Sequence, residues 1–462
     1  MTSSRIVAVS LTAALCLSSL AACGGGGTPN ASPGATGGAS GEKIVVASVN
    51  NAPMVTLQKL APKFTEKTGI QVDFVMLTEN DIRSKIQQDV SVHGGQFDVV
   101  TLGSSDSPTY LDAGWTIPLQ PKVDAMSADE KAAYDLNDLI PANIKAYSSQ
   151  KNGLAALPFY GESTMIMYRS DLFKDAGLSM PDAPTWDQIY DLATKLNDPA
   201  KGQVGMAIRG KAGYGENMYI FNTIMYAYGA QIVDKNWQPQ YQTPQMKAAW
   251  EFYKKLQKDA GAPEASSNGY TETLNLMSSG KAAIYYDATV SADTLNADAS
   301  KVKGKLAYAL SPSGPGKGNT QTVGGWGVAI PSSSTHQDAA FKFITWATSK
   351  DYINLVAQDG GWLSVPTGGR ISTYNNANYL AVAPYAPMVL KSLQNVEFDH
   401  PAVGETPYTG NSLPNIPEWT GLGDQIGQTL ANYISSNTST DEALAKAQSV
   451  AVQAMKDGGR IQ

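Results

Sequence analysis

From residue 44 onward the chain alternates between two hydrophobic rhythms. Ile44 to Val49 is a short, nearly unbroken apolar run, as a buried strand requires. Leu57, Leu60, Ala61 and Phe64 then recur at helical spacing, and Thr68-Gly69 ends that helix. Ile70, Val72, Phe74 and Met76 alternate as a strand. Ile82, Ile86 and Val90 mark a second helix, with Gly94-Gly95 as its stop, and Phe97 to Leu102 form a third strand. The order βαβαβ predicts a mostly parallel sheet covered by helices. In such sheets ligands sit beyond the carboxyl ends of the strands, so the loops Asn50-Asn51, Thr78-Glu79-Asn80 and Gly103-Ser104-Ser105-Asp106 should gather there.

The second half repeats this logic less regularly. After a turn at Asn152-Gly153, the segment Leu157 to Phe173 opens with Tyr160, Gly161 and Glu162. It turns apolar from Met165 to Tyr168 and ends in a short helix stopped by Gly177. A strand led by an aromatic and a carboxylate predicts entry into a second lobe beside a ligand cleft. Thr185-Trp186-Asp187-Gln188 fits a capping box ahead of Ile189, Ala193 and Leu196. Thr243-Pro244 places a cap and a first-turn proline ahead of Met246, Ala249, Trp250 and Tyr253. Gly280 to Thr289 reads as a strand running into a helix start, and residues 311–320 as a loop or crossing. Val323 to Pro331, the helix around Phe341 and Ile344, and Gly360-Gly361-Trp362 then suggest a return to the first lobe. Tyr408 and Asn415 to Trp419 would finish the second. No internal repeat of fixed period is present.

The first residues read as a targeting segment. Arg5 supplies a positive start, Ile6 to Leu20 is apolar but short, and Leu20-Ala21-Ala22-Cys23 resembles a bacterial lipobox, whose cysteine is lipidated. Residues 1–22 are therefore expected to be a lipoprotein signal peptide and residues 23–42, rich in Gly, Pro and Ser, a flexible tether. Ordinary secretion with cleavage near Ala22 is the alternative. Cys16 would leave with the signal and a lipidated Cys23 cannot pair, so no disulfide is expected. No later run reaches the ~18 apolar residues of a membrane span, which leaves lipid on Cys23 as the one expected anchor.

Composition narrows the function. With 42% hydrophobic and 16% charged residues, the 462-residue chain can build two substantial cores. Its net charge is −7 and it has no block of Lys or Arg, which argues against a nucleic-acid partner. Eight Trp and 22 Tyr are a rich supply of flat, hydrogen-bonding surfaces.

The densest polar cluster is Arg209-Gly210-Lys211-Ala212-Gly213-Tyr214-Gly215-Glu216-Asn217. Each hydroxyl of a polyhydroxylated ligand gives one hydrogen bond and accepts two, so carboxylates, amides and Arg are economical partners. By composition alone this cluster is equally a solvated loop whose charges pair among themselves. Glu79 is a ligand candidate and Asn80 either a ligand or a helix cap. Asp287 carries the same alternative, and Ser107-Pro108 is expected to cap the next helix, which leaves Ser104 and Asp106 as ligand candidates. Trp326 and Trp362 are flanked by glycines that leave their rings open, unless they wedge against backbone. His93, His336 and His400 lack ligand spacing and Cys partners, so no metal site is expected, and no cofactor. Gly314 to Asn319 lacks P-loop spacing, and no GxSxG elbow occurs.

Several segments resemble one family: Leu77 to Asn80, Gly94 to Val100, Leu157 to Phe173, Ile208 to Met218, Ser266 to Gly269, Tyr286 to Thr289 and Pro407 to Gly410. Over roughly residues 43–455 the chain resembles the extracellular solute-binding proteins of ABC importers, the maltose-binding-like superfamily. The likeness is strongest to the branch that binds sorbitol and mannitol. The resemblance implies an α/β, two-lobed periplasmic-binding-protein fold (type II) with a hinge and an interlobe cleft. The N-terminal lobe would comprise residues 43–154 plus 308–365, and the C-terminal lobe residues 155–307 plus 366–462. It further implies a non-enzymatic, monomeric protein that hands a sugar alcohol (sorbitol, mannitol, xylitol or arabitol) to the transmembrane subunits of an ABC permease. The implied ligand residues are Glu79, Asn80, Ser104, Asp106, Tyr160, Glu162, Arg209, Tyr214, Asp287, Trp326, Trp362, Tyr408 and Trp419, the last where the superfamily often sets a ring under its sugar. The Trp supply keeps a cyclic mono- or disaccharide as an alternative ligand. Two rivals are a ligand sensor docking on a receptor, and a secreted glycoside hydrolase using two of Glu162, Glu216 and Asp287. Against the hydrolase, the chain shows no barrel-like repetition.

Overall fold

The computed structural model describes residues 41–410 and 412–462; the expected signal peptide, Cys23 and nearly all of the tether lie outside the described residues. The chain runs β1 (Lys43–Val49), α1 (Ala52–Thr68), β2 (Gln71–Leu77), α2 (Glu79–Ser91), β3 (Val99–Gly103) and α3 (Asp106–Asp112). A minimal hairpin, β4 (Ser148–Ser149) and β5 (Gly153–Leu154), precedes β6 (Leu157–Glu162) and β7 (Thr164–Arg169). Then come β8 (Val204–Ala207), β9 (Ala282–Ala288), β10 (Leu306–Leu310) and β11 (Gly324–Ala329), with helices between and after them.

Two mixed sheets organise these strands. The first has the order β2-β1-β3-β11-β6 and the second β10-β7-β9-β8. β1 lies parallel to β2 and β3, as the βαβαβ rhythm requires, while β11 runs antiparallel to β3 and β6. Ile44, Val46 and Ala47 of β1 are fully buried because helices cover both faces of the sheet. The Asn51 side chain caps α1 by accepting from the Met54 N–H at 3.2 Å, and Gly69, at φ 77°, closes it in the left-handed region. The capping box at Thr185 and the cap and first-turn proline at Thr243-Pro244 form as the sequence predicts.

Three boundaries differ from expectation. α2 stops at Ser91, before Gly94-Gly95: His93 takes φ 53°, and the Asp89 side chain accepts from the Gln96 N–H at 3.2 Å, so the turn is already made. β6 pairs with β11 of the first sheet, Tyr160 opposite Trp326, so the crossing to the second sheet falls at Ser163 and not between residues 154 and 155. Likewise β10 pairs with β7, Leu306 opposite Arg169, which delays the return beyond residue 310, into the loop before β11. Hydrophobic pattern marks a strand but not the sheet edge it joins, and β6 and β7 read as one apolar segment because only Ser163 separates them. The two crossings meet: the Thr322 N–H donates to Ser163 Oγ at 3.3 Å, and the Ser163 N–H donates to Thr289 Oγ1 at 3.1 Å.

Among the described residues no helix is long and apolar enough to cross a membrane.

Candidate functional site

A cavity of about 610 Å³ lies between elements of the two sheets, within the range of small-molecule sites. Elements of the first sheet form one wall. The turn after β1 brings Asn50 and Asn51, the β2–α2 junction brings Thr78 and Glu79, and β6 brings Tyr160 and Glu162. Residues two apart on a strand share a face, which is why Tyr160 and Glu162 arrive together. The Tyr160 hydroxyl accepts from Asn51 Nδ2 at 3.0 Å, so the helix cap also orients the phenol. Trp326, across from Tyr160 on β11, completes this wall.

The opposite wall centres on Arg209. β8 and β9 run parallel with Ala207 opposite Tyr285, so the next residues on the same face, Arg209 and Asp287, emerge side by side. Arg209 Nε and Nη2 donate to the two Asp287 carboxylate oxygens at 2.8 and 2.6 Å, a two-pronged ion pair. Nη1 donates to the Gly215 carbonyl at 2.8 Å and lies 3.6 Å from Glu216 Oε2. The rings of Tyr219 and Tyr270 stand 5.1 and 4.9 Å from the guanidinium. A charge only 4% exposed is tolerable because its donors are matched. Glu216 in turn accepts from the Tyr270 N–H at 3.0 Å, and a Cβ on Gly269 would sit 2.8 Å from Glu216 Oε2, so a larger residue there would displace that carboxylate.

Burial dominates the electrostatics. It holds the Glu162 carboxyl at about 8, with Asp287 and Glu79 reinforcing the rise and Arg209 opposing it. Glu216 is raised for the same reason, against the pull of Arg209. Asp293, where the Tyr385 hydroxyl donates, is also raised by burial.

Beside the cavity a second cluster joins the two halves. Arg83 of α2 pairs with Asp106 and donates from Nη2 to Glu79 Oε1 at 3.0 Å. Its guanidinium lies between the Trp326 ring at 4.4 Å and the Tyr214 ring at 4.8 Å. The Tyr214 hydroxyl donates to Asp106 at 3.3 Å.

Of the residues expected at the ligand, the cavity gathers Glu79, Tyr160, Glu162, Arg209 and Trp326. The others lie off its wall. Asn80 is exposed in the first turn of α2 and neither caps it nor faces the cavity; it borders a smaller cleft with Arg83 and Tyr214. Ser104 is buried at the end of β3, and Asp106 and Tyr214 are spent on each other and on Arg83. Asp287 is wholly buried behind Arg209. Trp362 is half-buried on a 3₁₀ turn whose following residues, Leu363 to Val365, reach the cavity in its place. Tyr408 bonds the Tyr226 hydroxyl at 3.1 Å within the core. Trp419 starts a helix with its ring packed over Gly423, 1% exposed.

Sequence reading missed Tyr270, Asp293 and Arg83. Arg83 stands one helical turn after Glu79, a legible ion-pair spacing. Tyr270 directly follows the Ser266 to Gly269 segment, whereas nothing in the local pattern distinguishes Asp293 from a surface helix residue. Among the described residues no three His, Cys, Asp or Glu side chains are placed to hold a metal ion.

Two α/β halves closing on a polar cavity define a solute-binding protein, and the comparisons agree. Residues 48–353 match the family of bacterial extracellular solute-binding proteins, and the chain belongs to that family. A mannitol-binding protein of Pseudomonas aeruginosa is 40% identical over 420 residues, covering 90% of this chain and 94% of its own. The crystal structure of an ABC transporter solute-binding protein from Agrobacterium vitis with bound D-mannitol matches with a TM-score of 0.86 at 41% identity, covering 90% of this chain and 99% of the other. One from Agrobacterium radiobacter in complex with ribitol matches with a TM-score of 0.79 at 25% identity, covering 90% and 98%. The fold is the two-lobed, maltose-binding-like one. These relatives bind solutes and are not enzymes, which overturns the glycoside-hydrolase rival.

Proposed function

We propose that this protein captures an acyclic sugar alcohol outside the cell and delivers it to the transmembrane subunits of an ABC permease, held at the membrane by lipid on Cys23. The observation that carries the ligand class is the character of the cavity wall. Glu79, Glu162 and Glu216 line it with carboxylates and Tyr160 and Tyr270 with phenols, while Trp362 and Trp419, the rings a cyclic sugar would stack on, lie elsewhere. Trp326 is itself covered by Arg83. A bendable chain of hydroxyls needs many polar partners and no flat platform. The mannitol and ribitol bound by the similar proteins support the same class.

Binding requires no bond to change. A ligand touched by both walls favours the state in which the walls meet, and that difference in affinity is what drives closure. A thermal-shift screen with sorbitol, mannitol, xylitol, arabitol, ribitol, glucose and maltose tests the reading. An alditol should rank first, and at 100 times its Kd it adds about 2.7 kcal/mol. Maltose ranking first would refute the alditol assignment in favour of a cyclic sugar.

A further inference from the structure

Five carboxylates border the cavity against two bases. Glu79 pairs with Arg83, Glu216 with Arg209 and the Tyr270 N–H, Glu272 caps the Gly269 N–H, and Asp293 accepts from the Tyr385 hydroxyl. The hydrogen-bond partner of Glu162 is the neutral Tyr219 phenol. Glu162 is 8% exposed and borders the cavity, and among the described residues no cation comes within ion-pairing distance of it. From the loop after β8 it feels Arg209, from β9 Asp287, and from α2 Glu79. The phenols of Tyr147, Tyr160, Tyr219 and Tyr270 surround it. The two bases do not make an anion clamp, because Arg209 gives its fork to Asp287 and Lys211 is exposed.

We propose that Glu162 sets the charge selectivity of this cavity: it admits neutral polyols and polyols bearing one protonated amine, and it rejects those carrying a carboxylate or phosphate. The inference rests on the polyol reading above and narrows it. With its carboxyl held near 8, Glu162 carries a proton around neutrality and donates to a ligand hydroxyl. An entering ammonium favours the ionised form, the Glu162 proton passing to solvent, and gives the carboxylate the cation it lacks. An entering anion must give up its water in a cavity whose guanidinium is already committed to Asp287, so nothing there compensates its charge. Such a mismatch is how a site discriminates against isosteric competitors.

Calorimetric titration of the full chain with D-mannitol, 1-amino-1-deoxy-D-mannitol, D-mannonate and D-mannitol 1-phosphate tests this. The amine should bind within about ten-fold of mannitol, and both anions at least about 100-fold more weakly. Glu162→Gln should depress the amine relative to mannitol by about ten-fold, because an amide cannot become the carboxylate that pairs with the ammonium. Wild-type protein binding mannonate within ten-fold of mannitol would overturn the selectivity whatever the variant does. An unchanged ratio of amine to mannitol in a cooperatively unfolding E162Q would overturn the role of Glu162. Binding of none of the four, with maltose bound, would instead take down the polyol reading and this inference with it.

Discussion

Arg209 and Asp287 are separated by 78 residues in sequence, yet parallel pairing of β8 with β9 makes them neighbours with almost no exposure to water. Both were legible as candidate polar residues; their burial as a pair was not, because strand pairing is not written in local pattern. That changes what substitution should do. Removing one partner of a buried pair leaves the other as an uncompensated charge, and the cost is about 3–5 kcal/mol. Asp287→Ala should therefore lower the stability of the unliganded protein by that order, besides weakening binding, as denaturant unfolding would measure. If the variant unfolds at the wild-type midpoint, Arg209 does not depend on Asp287. Glu79 is the converse case: its place just beyond a predicted strand was enough to put it at the site.

At the scale of elements, the contact between α2 and the loop Arg209 to Asn217 is the joint between the halves. Gly215 comes so close to Glu79 that a Cβ there would sit 2.5 Å from Oε1, and the Tyr214 hydroxyl reaches both oxygens of Asp106 at 3.3 Å. α2 and α3, which carries Asp106, follow β2 and β3 of the first sheet and the loop follows β8 of the second, so these bonds link the two halves. Tyr214→Phe removes a hydrogen bond to a buried carboxylate without touching the cavity wall. Such bonds contribute about 1.5–3 kcal/mol. Ligand affinity should fall by about ten-fold or more while the unliganded melting temperature barely moves. Wild-type affinity in this variant would show that the bond does not favour closure. Tyr214 was expected to touch ligand because its loop is dense in polar groups and glycine. Composition identified the loop, but only its packing against α2 reveals which side chains turn to the cavity and which to the neighbouring lobe.

For the whole molecule, the proposed anchoring predicts a simple outcome. Cys23→Ala should release the protein into the medium and abolish incorporation of labelled fatty acid, whereas ligand binding, which depends on residues 43 and beyond, should be unaltered. Retention of C23A on membranes would refute a lipid anchor at that residue. By itself the sequence determined the α/β class, the helices capped at Thr185 and Thr243, and the loops where polar groups concentrate. These follow from hydrophobic period and turn chemistry, which act over a few residues. Tertiary structure decided that β6 belongs to the first sheet and β10 to the second, that Trp419 and Tyr408 are core, and that Asp287 stands behind Arg209. It also decided that Glu162 faces the cavity with no ion-pair partner among the described residues. Each of these depends on which distant segment arrives alongside, and on how much water that neighbour displaces, quantities that no local pattern encodes.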